Sequence, residues 1–189
     1  REGFTFDAVY TGYLGSQRQL ALVADYFDRF GKNGLIVVDP VMADNGKLYT
    51  GFSVEFAHEM AKLCGKADLV VPNITEACFL TATEYKTKYD RKYIDMLIGR
   101  LIDLGCKNVI LTGVSYNEGK TGVVVYENDS YSYFEHEFLP NSCHGTGDIY
   151  ASATVGAMMR GFSVPEALSI AVDFTLLTMR KTLEDKEHR

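Results

Sequence analysis

The sequence lacks the cysteine patterns of secreted and zinc-binding proteins. Its 189 residues contain four cysteines, and these form neither a CxxC pair nor a spacing that suits zinc. No stretch resembles a signal peptide, and no apolar run has the length that crossing a membrane requires. We therefore expect a reduced, cytoplasmic protein.

Two common phosphate-binding motifs are also missing. The chain contains no GxxxxGK[ST] loop, and no GxGxxG follows its first predicted strand. Neither a P-loop enzyme nor a standard dinucleotide-binding domain fits these absences. Phosphate binding would therefore have to come from another glycine-containing loop.

Positive charge is scarce as well. The 19 Lys and Arg residues are outnumbered by 25 Asp and Glu residues, which gives a formal net charge of −6. This balance argues against a nucleic-acid or anionic-membrane surface, so we expect a small-molecule partner. Hydrophobic residues make up 47% and charged residues 23% of the chain, as in ordinary soluble proteins. Because no repeat, low-complexity segment or linker interrupts it, we expect a single domain over residues 1–189.

Apolar β-rich runs alternate with amphipathic segments through the first part of the chain. This rhythm predicts an α/β fold with a mostly parallel sheet and helices on both faces. Between the second strand and the second helix, residues 41–49 are interpreted as a loop. The predicted strands are residues 8–10, 35–38, 68–71 and 108–112, and the predicted helices are residues 17–30, 53–63, 75–80 and 90–104.

The last part of the chain breaks this rhythm. Two extended aromatic runs, residues 121–126 and 130–138, predict a hairpin at the end of the sheet. Two helices follow, one ending at about residue 160 and one running from residue 163 to about residue 182. The residues of the last helix that we expect to face inward are Ala167, Ile170, Ala171, Phe174 and Leu177.

A glycine-containing motif precedes the first of these two helices. Residues 142–148 read Ser-Cys-His-Gly-Thr-Gly-Asp, and Gly145 and Gly147 let backbone N–H groups turn toward an anion at a helix N-terminus. Asp148 would repel a phosphate there unless it takes a proton from the substrate, which suggests a general base. It could equally be a first-turn residue that complements the helix dipole. At this level both interpretations stay open.

Polar residues also follow each predicted parallel strand. Because ligands of open α/β sheets bind beyond the carboxyl ends of the strands, these residues should share one crevice. Their carboxylates and amide suit Mg²⁺ beside a phosphate. Each residue alone has a structural explanation, such as a turn or a helix cap, and it is their joint position that favours function. The candidates are Tyr13, Asp39, Asp44, Asn73, Glu76, Thr112, Gly113, Gly145, Thr146, Gly147 and Asp148.

Five short motifs follow one another along the chain: residues 11–16 (TGYLGS), 39–44 (DPVMAD), 72–77 (PNITEA), 110–113 (ILTG) and 145–148 (GTGD). Their order resembles the ribokinase-like superfamily, and within it the pyridoxal (vitamin B6) kinases. The resemblance implies a three-layer α/β/α fold, and such kinases begin with further strands, so we expect the chain to be incomplete at its N-terminus. Ala43 stands where many relatives have glycine, and alanine costs little there if its φ is negative.

The resemblance also implies an activity, cofactors and residue roles. The activity would be ATP- and Mg²⁺-dependent phosphorylation of the 5′-hydroxymethyl group of pyridoxal, pyridoxine or pyridoxamine, in vitamin B6 salvage, by a homodimer. Asp148 would be the base, and the backbone of Gly145, Thr146 and Gly147 would bind the transferred phosphoryl group. Asp44 and Glu76 would act on Mg²⁺, directly or through water. The remaining roles are Asp39, Asn73, Thr112 and Gly113 along the ATP phosphates and Tyr13 near the substrate ring.

Three alternatives to a pyridoxal kinase stay open. A hydroxymethylpyrimidine (phosphate) kinase of thiamine synthesis resembles the same family and phosphorylates a similar heterocycle. A sugar kinase is less favoured, because residues 11–16 and 39–44 point to the vitamin branch. A non-catalytic nucleotide-binding fragment is a third possibility, although a pure binder gains little from Asp148 beside a phosphate.

Overall fold

The computed structural model describes residues 5–31, 34–138 and 145–187. The chain divides into two compact units, residues 1–137 and residues 138–189. The described elements of the first unit are β1 (Ala8–Thr11), α1 (Gln17–Phe30), β2 (Leu35–Val38), β3 (Ala43–Asp44), β4 (Lys47–Leu48), α2 (Val54–Cys64), β5 (Leu69–Val70), α3 (Ile74–Leu80), α4 (Arg91–Asp103), β6 (Asn108–Val114), β7 (Lys120–Glu127) and β8 (Ser130–Glu137). Those of the second unit are α5 (Thr146–Met159) and α6 (Val164–Glu187).

The main sheet of the first unit has six strands in the order β1-β2-β5-β6-β7-β8. The first four are parallel to one another, and β7 and β8 form a hairpin that pairs antiparallel with β6. This confirms the predicted mostly parallel sheet and the predicted hairpin. Because β1, β2, β5 and β6 are adjacent and parallel, their carboxyl ends meet at one edge of the sheet.

Local sequence signals explain where these elements form. The Leu-Ile-Val-Val run of β2 has no alternation, and its last three residues are buried, as expected of a strand covered on both faces. Helices α1, α2 and α4 begin after Ser16, Ser53 and Asp90, whose side chains accept a hydrogen bond from the first turn. In α4, apolar residues at helical spacing are fully buried: Ile94, Leu97, Ile98 and Leu101.

One predicted loop is in part a small hairpin. Strands β3 and β4 pair antiparallel, with Asp44 opposite Lys47. Asn45 and Gly46 connect them, with φ values of 50° and 75°. Positive φ at both central residues is the geometry of a tight hairpin turn, for which Asn-Gly is the preferred pair. The Asn-Gly pair was therefore a local signal for this hairpin, and the loop interpretation of residues 41–49 was wrong at these positions.

The buried face of α6 differs from the predicted one. Ala167 and Ala171 are buried as expected, but Ile170, Phe174 and Leu177 are exposed. Helices α5 and α6 pack on each other, and the small buried residues of both let two helices approach closely. The prediction chose the helix face that carries the large apolar side chains, and that face is exposed at these three residues. Within the described residues, no helix combines the length and apolar character that a membrane span needs.

Candidate functional site

Four of the predicted site residues lie near the carboxyl ends of adjacent parallel strands. Tyr13 follows β1, Asp39 follows β2, and Asn73 follows β5 and forms a parallel bridge with Thr112 of β6. The Asp39 N–H donates to the Thr11 carbonyl at 2.9 Å, which joins the ends of β1 and β2. The first unit therefore brings these side chains to the same edge of the sheet.

Asp39 is a buried carboxylate at this edge, with 7% of its surface exposed. The Tyr10 hydroxyl lies 3.4 Å from Asp39 Oδ2 and donates to it. Pro40 follows, and Val41 then adopts a φ of 36°. Asp39 is therefore fixed at the start of a sharply turned segment.

The first turn of α3 carries a reciprocal capping arrangement. Asn73 Oδ1 accepts the Glu76 N–H at 2.9 Å, and Glu76 Oε2 accepts the Asn73 N–H at 2.9 Å. This capping box begins the helix at Ile74, one residue before the predicted start. The cap, which was the structural explanation of Asn73, is thus present.

The same turn of α3 also holds the segment from Val41 to Gly46, which we call the 41–46 segment. Glu76 Oε1 accepts the Met42 N–H at 3.0 Å, and Asn73 Nδ2 donates to the Ala43 carbonyl at 2.8 Å. Further along, Thr75 Oγ1 accepts the Gly46 N–H at 3.0 Å. Three side chains of one helical turn therefore fix the backbone at three points.

Glu76 lies in an unusual electrostatic environment, since only 3% of it is exposed. Burial, and then the nearby Asp39 carboxylate, raise the pKa of Glu76 to about 8. Backbone N–H groups of Asn73, Met42 and Ala43 act in the opposite direction. Two carboxylates close together in a buried place create a local demand for a proton or a cation.

Asp44 has a different environment at the turn of the small hairpin. Its side chain is exposed, and its two oxygens accept from the Asn45 backbone N–H at 2.8 Å and from Asn45 Nδ2 at 2.9 Å. Within the described ranges, no group of three or more His, Cys, Asp or Glu side chains is arranged to hold a metal. The residues fit a Mg²⁺ ion that takes most of its ligands from water and phosphate, with Asp44 as the accessible carboxylate. They do not fit direct ligation by Glu76.

Thr112 and Gly113 lie where β6 becomes irregular. The Thr112 N–H donates to the Pro72 carbonyl at 2.9 Å, and the pairing of β6 with β7 shifts between Thr112 and Val114. Gly113 is exposed and has a φ of 73°. Such a bulge near the end of a strand exposes backbone groups at the edge of the sheet where the candidate residues lie.

Tyr13 presents an aromatic ring at the end of β1. Its exposed fraction is 64%, and its ring meets that of Phe52 edge to face, with centroids 5.5 Å apart. Phe52 in turn packs on Phe56 of α2 at 4.5 Å. The sequence interpretation missed Phe52, because only the fold brings it to Tyr13.

The predicted catalytic residues belong to the second unit. Gly145 has a φ of 84° and precedes α5, with no side chain capping the helix. Asp148 is exposed in the first turn, and Ile149 makes the first N–H contact back to the Gly145 carbonyl at 3.0 Å. Helix starts of this kind direct N–H groups toward an anion. Residues 142–144 of the motif lie outside the described residues.

Comparison with known proteins adds a family and several relatives. The family model described as Phosphomethylpyrimidine kinase matches residues 1–188. A hydroxymethylpyrimidine/phosphomethylpyrimidine kinase of Bacillus subtilis is 28% identical over 181 residues, which cover 94% of this chain and 65% of that protein. The chain therefore spans less than two thirds of this relative's length.

Two solved structures show the same fold. A Bacteroides thetaiotaomicron protein, provisionally named a phosphomethylpyrimidine kinase and crystallised with pyridoxal, is 40% identical with a TM-score of 0.88. The match covers 95% of this chain and 64% of that one. A pyridoxal kinase from Lactobacillus plantarum is 27% identical, with a TM-score of 0.87 over 97% of this chain and 65% of that one. Similarity thus extends to proteins named for either of two substrates.

Proposed function

The chain belongs to the phosphomethylpyrimidine kinase family, and we propose that its protein transfers the terminal phosphoryl group of ATP to the hydroxymethyl group of a small heterocycle. The observation that carries the proposal is the set of polar residues at the carboxyl edge of four adjacent parallel strands. Ligands of open α/β sheets bind at such edges. Pyridoxal is the substrate we favour, because the relative of 40% identity was crystallised with it.

The proposal divides the chemistry among named residues. Asp148 takes the proton from the substrate hydroxyl as its oxygen bonds to the terminal phosphorus, and the bond to the leaving ADP breaks. Backbone N–H groups of residues 145–147 stabilise the charge on the transferred group. Asn73, Thr112 and Gly113 line the nucleotide phosphates. Bound Mg²⁺ would neutralise phosphate charge, and Asp44 would hold it through water.

Asp39 can lie beside the nucleotide phosphates only if a positive charge is present to offset their repulsion. A buried carboxylate beside phosphate oxygens is repelled by them in a medium of low dielectric constant. A cation between the two would remove that repulsion, which agrees with the demand for charge compensation around Asp39 and Glu76. We therefore propose that Asp39 would help to hold a cation at this edge, which would supply the positive charge that the phosphates need.

Tyr13 is the proposed contact for the substrate ring. Its exposed ring can stack on a flat heterocycle, and the edge contact with Phe52 limits its rotation. A pyridine and a pyrimidine ring are both flat, so Tyr13 does not discriminate between them. Hydroxymethylpyrimidine is the second candidate, because the Bacillus subtilis relative is named for it.

The function is tested with the full-length protein by measuring ADP release with pyridoxal and with hydroxymethylpyrimidine at equal concentration. We expect turnover with pyridoxal to exceed that with hydroxymethylpyrimidine. The reverse order would assign the second candidate, and no turnover with either would favour the non-catalytic alternative.

The proposed base is tested by Asp148→Asn, with Asp173→Asn as a control of equal charge change on the exposed surface of α6. Loss of a general base should lower kcat by about 100- to 10,000-fold, while the control should stay within about twofold of the parent protein. Normal turnover in Asp148→Asn would exclude the assigned role. Circular dichroism of both variants checks that the fold is retained.

A further inference from the structure

Val41 has a backbone conformation that its side chain disfavours. Its φ is 36°, in the left-handed region that β-branched residues rarely adopt. By contrast Ala43 does not have a positive φ, although many of the kinases that the sequence resembles have glycine at this position. The strain in this part of the chain therefore lies at Val41. Such conformations persist only where surrounding contacts hold them, and they are concentrated at functional sites.

One turn of α3 holds the two residues that follow Val41. Immediately after it, the Met42 N–H donates to Glu76 Oε1 at 3.0 Å in a buried place, across 34 residues of sequence. The Ala43 carbonyl accepts from Asn73 Nδ2 at 2.8 Å. Releasing the Met42 N–H would leave a buried donor without a partner, which is costly. Glu76 therefore opposes relaxation of the strained residue.

Both carboxylate oxygens of Glu76 are already used in these contacts. Oε1 accepts from Met42, Oε2 accepts from Asn73 at 2.9 Å, and 3% of the residue is exposed. Each oxygen keeps a second lone pair, but burial leaves little access for a metal ion that carries its own water ligands. Asp44, two residues after Met42, also accepts a hydrogen bond at each oxygen, but its side chain is exposed and an ion can reach it from solvent.

We infer that Glu76 is a positioning residue, whose carboxylate holds the 41–46 segment with Val41 strained and thereby places Asp44, and that it does not ligate the metal. The role of Asp44 in this inference rests on the proposed kinase function. The contact between Glu76 and the segment does not, so it can be tested without activity.

The first test is hydrogen exchange measured by NMR on the full-length protein without metal or nucleotide. The Met42 and Asn73 amides should be protected in the parent protein. In Glu76→Gln the side-chain amide cannot accept from both, so at least one should exchange about tenfold faster or more. Glu59→Gln, which makes the same change on α2 at a side chain that is 44% exposed, should leave both unchanged.

The outcomes of this test are decisive for the contact. An unprotected Met42 amide in the parent protein would overturn the inference without any variant. Exchange in Glu76→Gln within twofold of Glu59→Gln at both amides would also overturn it. Neither outcome depends on whether the protein is a kinase.

The second test adds Val41→Gly to Glu76→Gln and uses kinetics. Glycine adopts positive φ without strain, so it should let the 41–46 segment keep its shape with a weaker contact from residue 76. We expect the kcat of the double variant to be at least about fivefold higher than that of Glu76→Gln. The Mg²⁺ concentration for half-maximal rate should be close to that of the parent protein. No recovery, together with a large increase in the Mg²⁺ concentration for half-maximal rate, would identify Glu76 as a direct ligand and overturn the inference.

Discussion

Gly46 shows how tightly single residues are constrained in the 41–46 segment. It has a φ of 75°, its N–H donates to Thr75 Oγ1, and the ring of Tyr85 lies over it. A β-carbon at this position would lie 2.7 Å from Tyr85 Cδ1. Conformation and space therefore both favour glycine here.

Gly46→Ala should for this reason destabilise the protein by about 1 to 3 kcal/mol, as measured by urea unfolding. Gly99→Ala is the matched control, because Gly99 lies inside α4 with open space around its α-carbon. The same substitution there should be neutral or stabilising by up to about 1 kcal/mol, since alanine favours the helix. Equal losses in the two variants would contradict the assignment of strain to Gly46.

At the scale of elements, α3 is short but has two tasks. It spans only Ile74–Leu80, yet its first turn both caps itself and fixes a segment 30 or more residues earlier in the chain. A helix cap, which the sequence analysis gave as one structural explanation of the candidate residues, accounts for the local task. The second task depends on β5 lying next to β2 in the sheet, which brings Asn73 near Asp39 and the segment that follows it.

Asn73→Ala should therefore cost more stability than loss of an ordinary cap. Ser16→Ala, at the exposed start of α1, removes a cap bond of 3.3 Å and should cost about 1 kcal/mol. Asn73→Ala removes the cap and leaves the Ala43 carbonyl without its side-chain donor, so we expect about 2 to 4 kcal/mol in urea unfolding. A cost no greater than that of Ser16→Ala would show that the bond to Ala43 contributes little.

At the scale of the whole molecule, the described cysteines are part of the core. Cys64, Cys78 and Cys106 are buried free thiols. Burial raises the pKa of all three, that of Cys106 to about 12 and that of Cys64 well above its usual value. Thiolates are the reactive form, so these side chains should be inert in the folded protein.

This is tested by thiol labelling at pH 8 followed by mass analysis of peptides. Because burial raises the pKa of Cys106 to about 12, very little of its thiol is ionised at that pH, so labelling should be slow without denaturant. Unfolding in urea should make all three cysteines react at similar rates. Rapid labelling of any of them in the folded protein would contradict the buried core.

The family match covers residues 1–188, and the chain forms two compact units. Similarity to the Bacteroides thetaiotaomicron structure covers 95% of this chain. The prediction that residues 1–189 form one domain stays a prediction, as do the homodimer and the cytoplasmic location. The residue roles are likewise proposals, which the Asp148, Glu76 and Val41 variants test.

The sequence by itself determined the positions of the elements and the edge at which the candidate residues of the first unit meet. Helix α1 and strand β2 have their predicted bounds, because apolar periodicity, caps and glycine stops act within a few residues. Only the tertiary structure decided the orientation of Glu76, the strain at Val41 and the exposed face of α6. These depend on contacts between residues distant in sequence, and no local pattern encodes that the Met42 N–H bonds to Glu76.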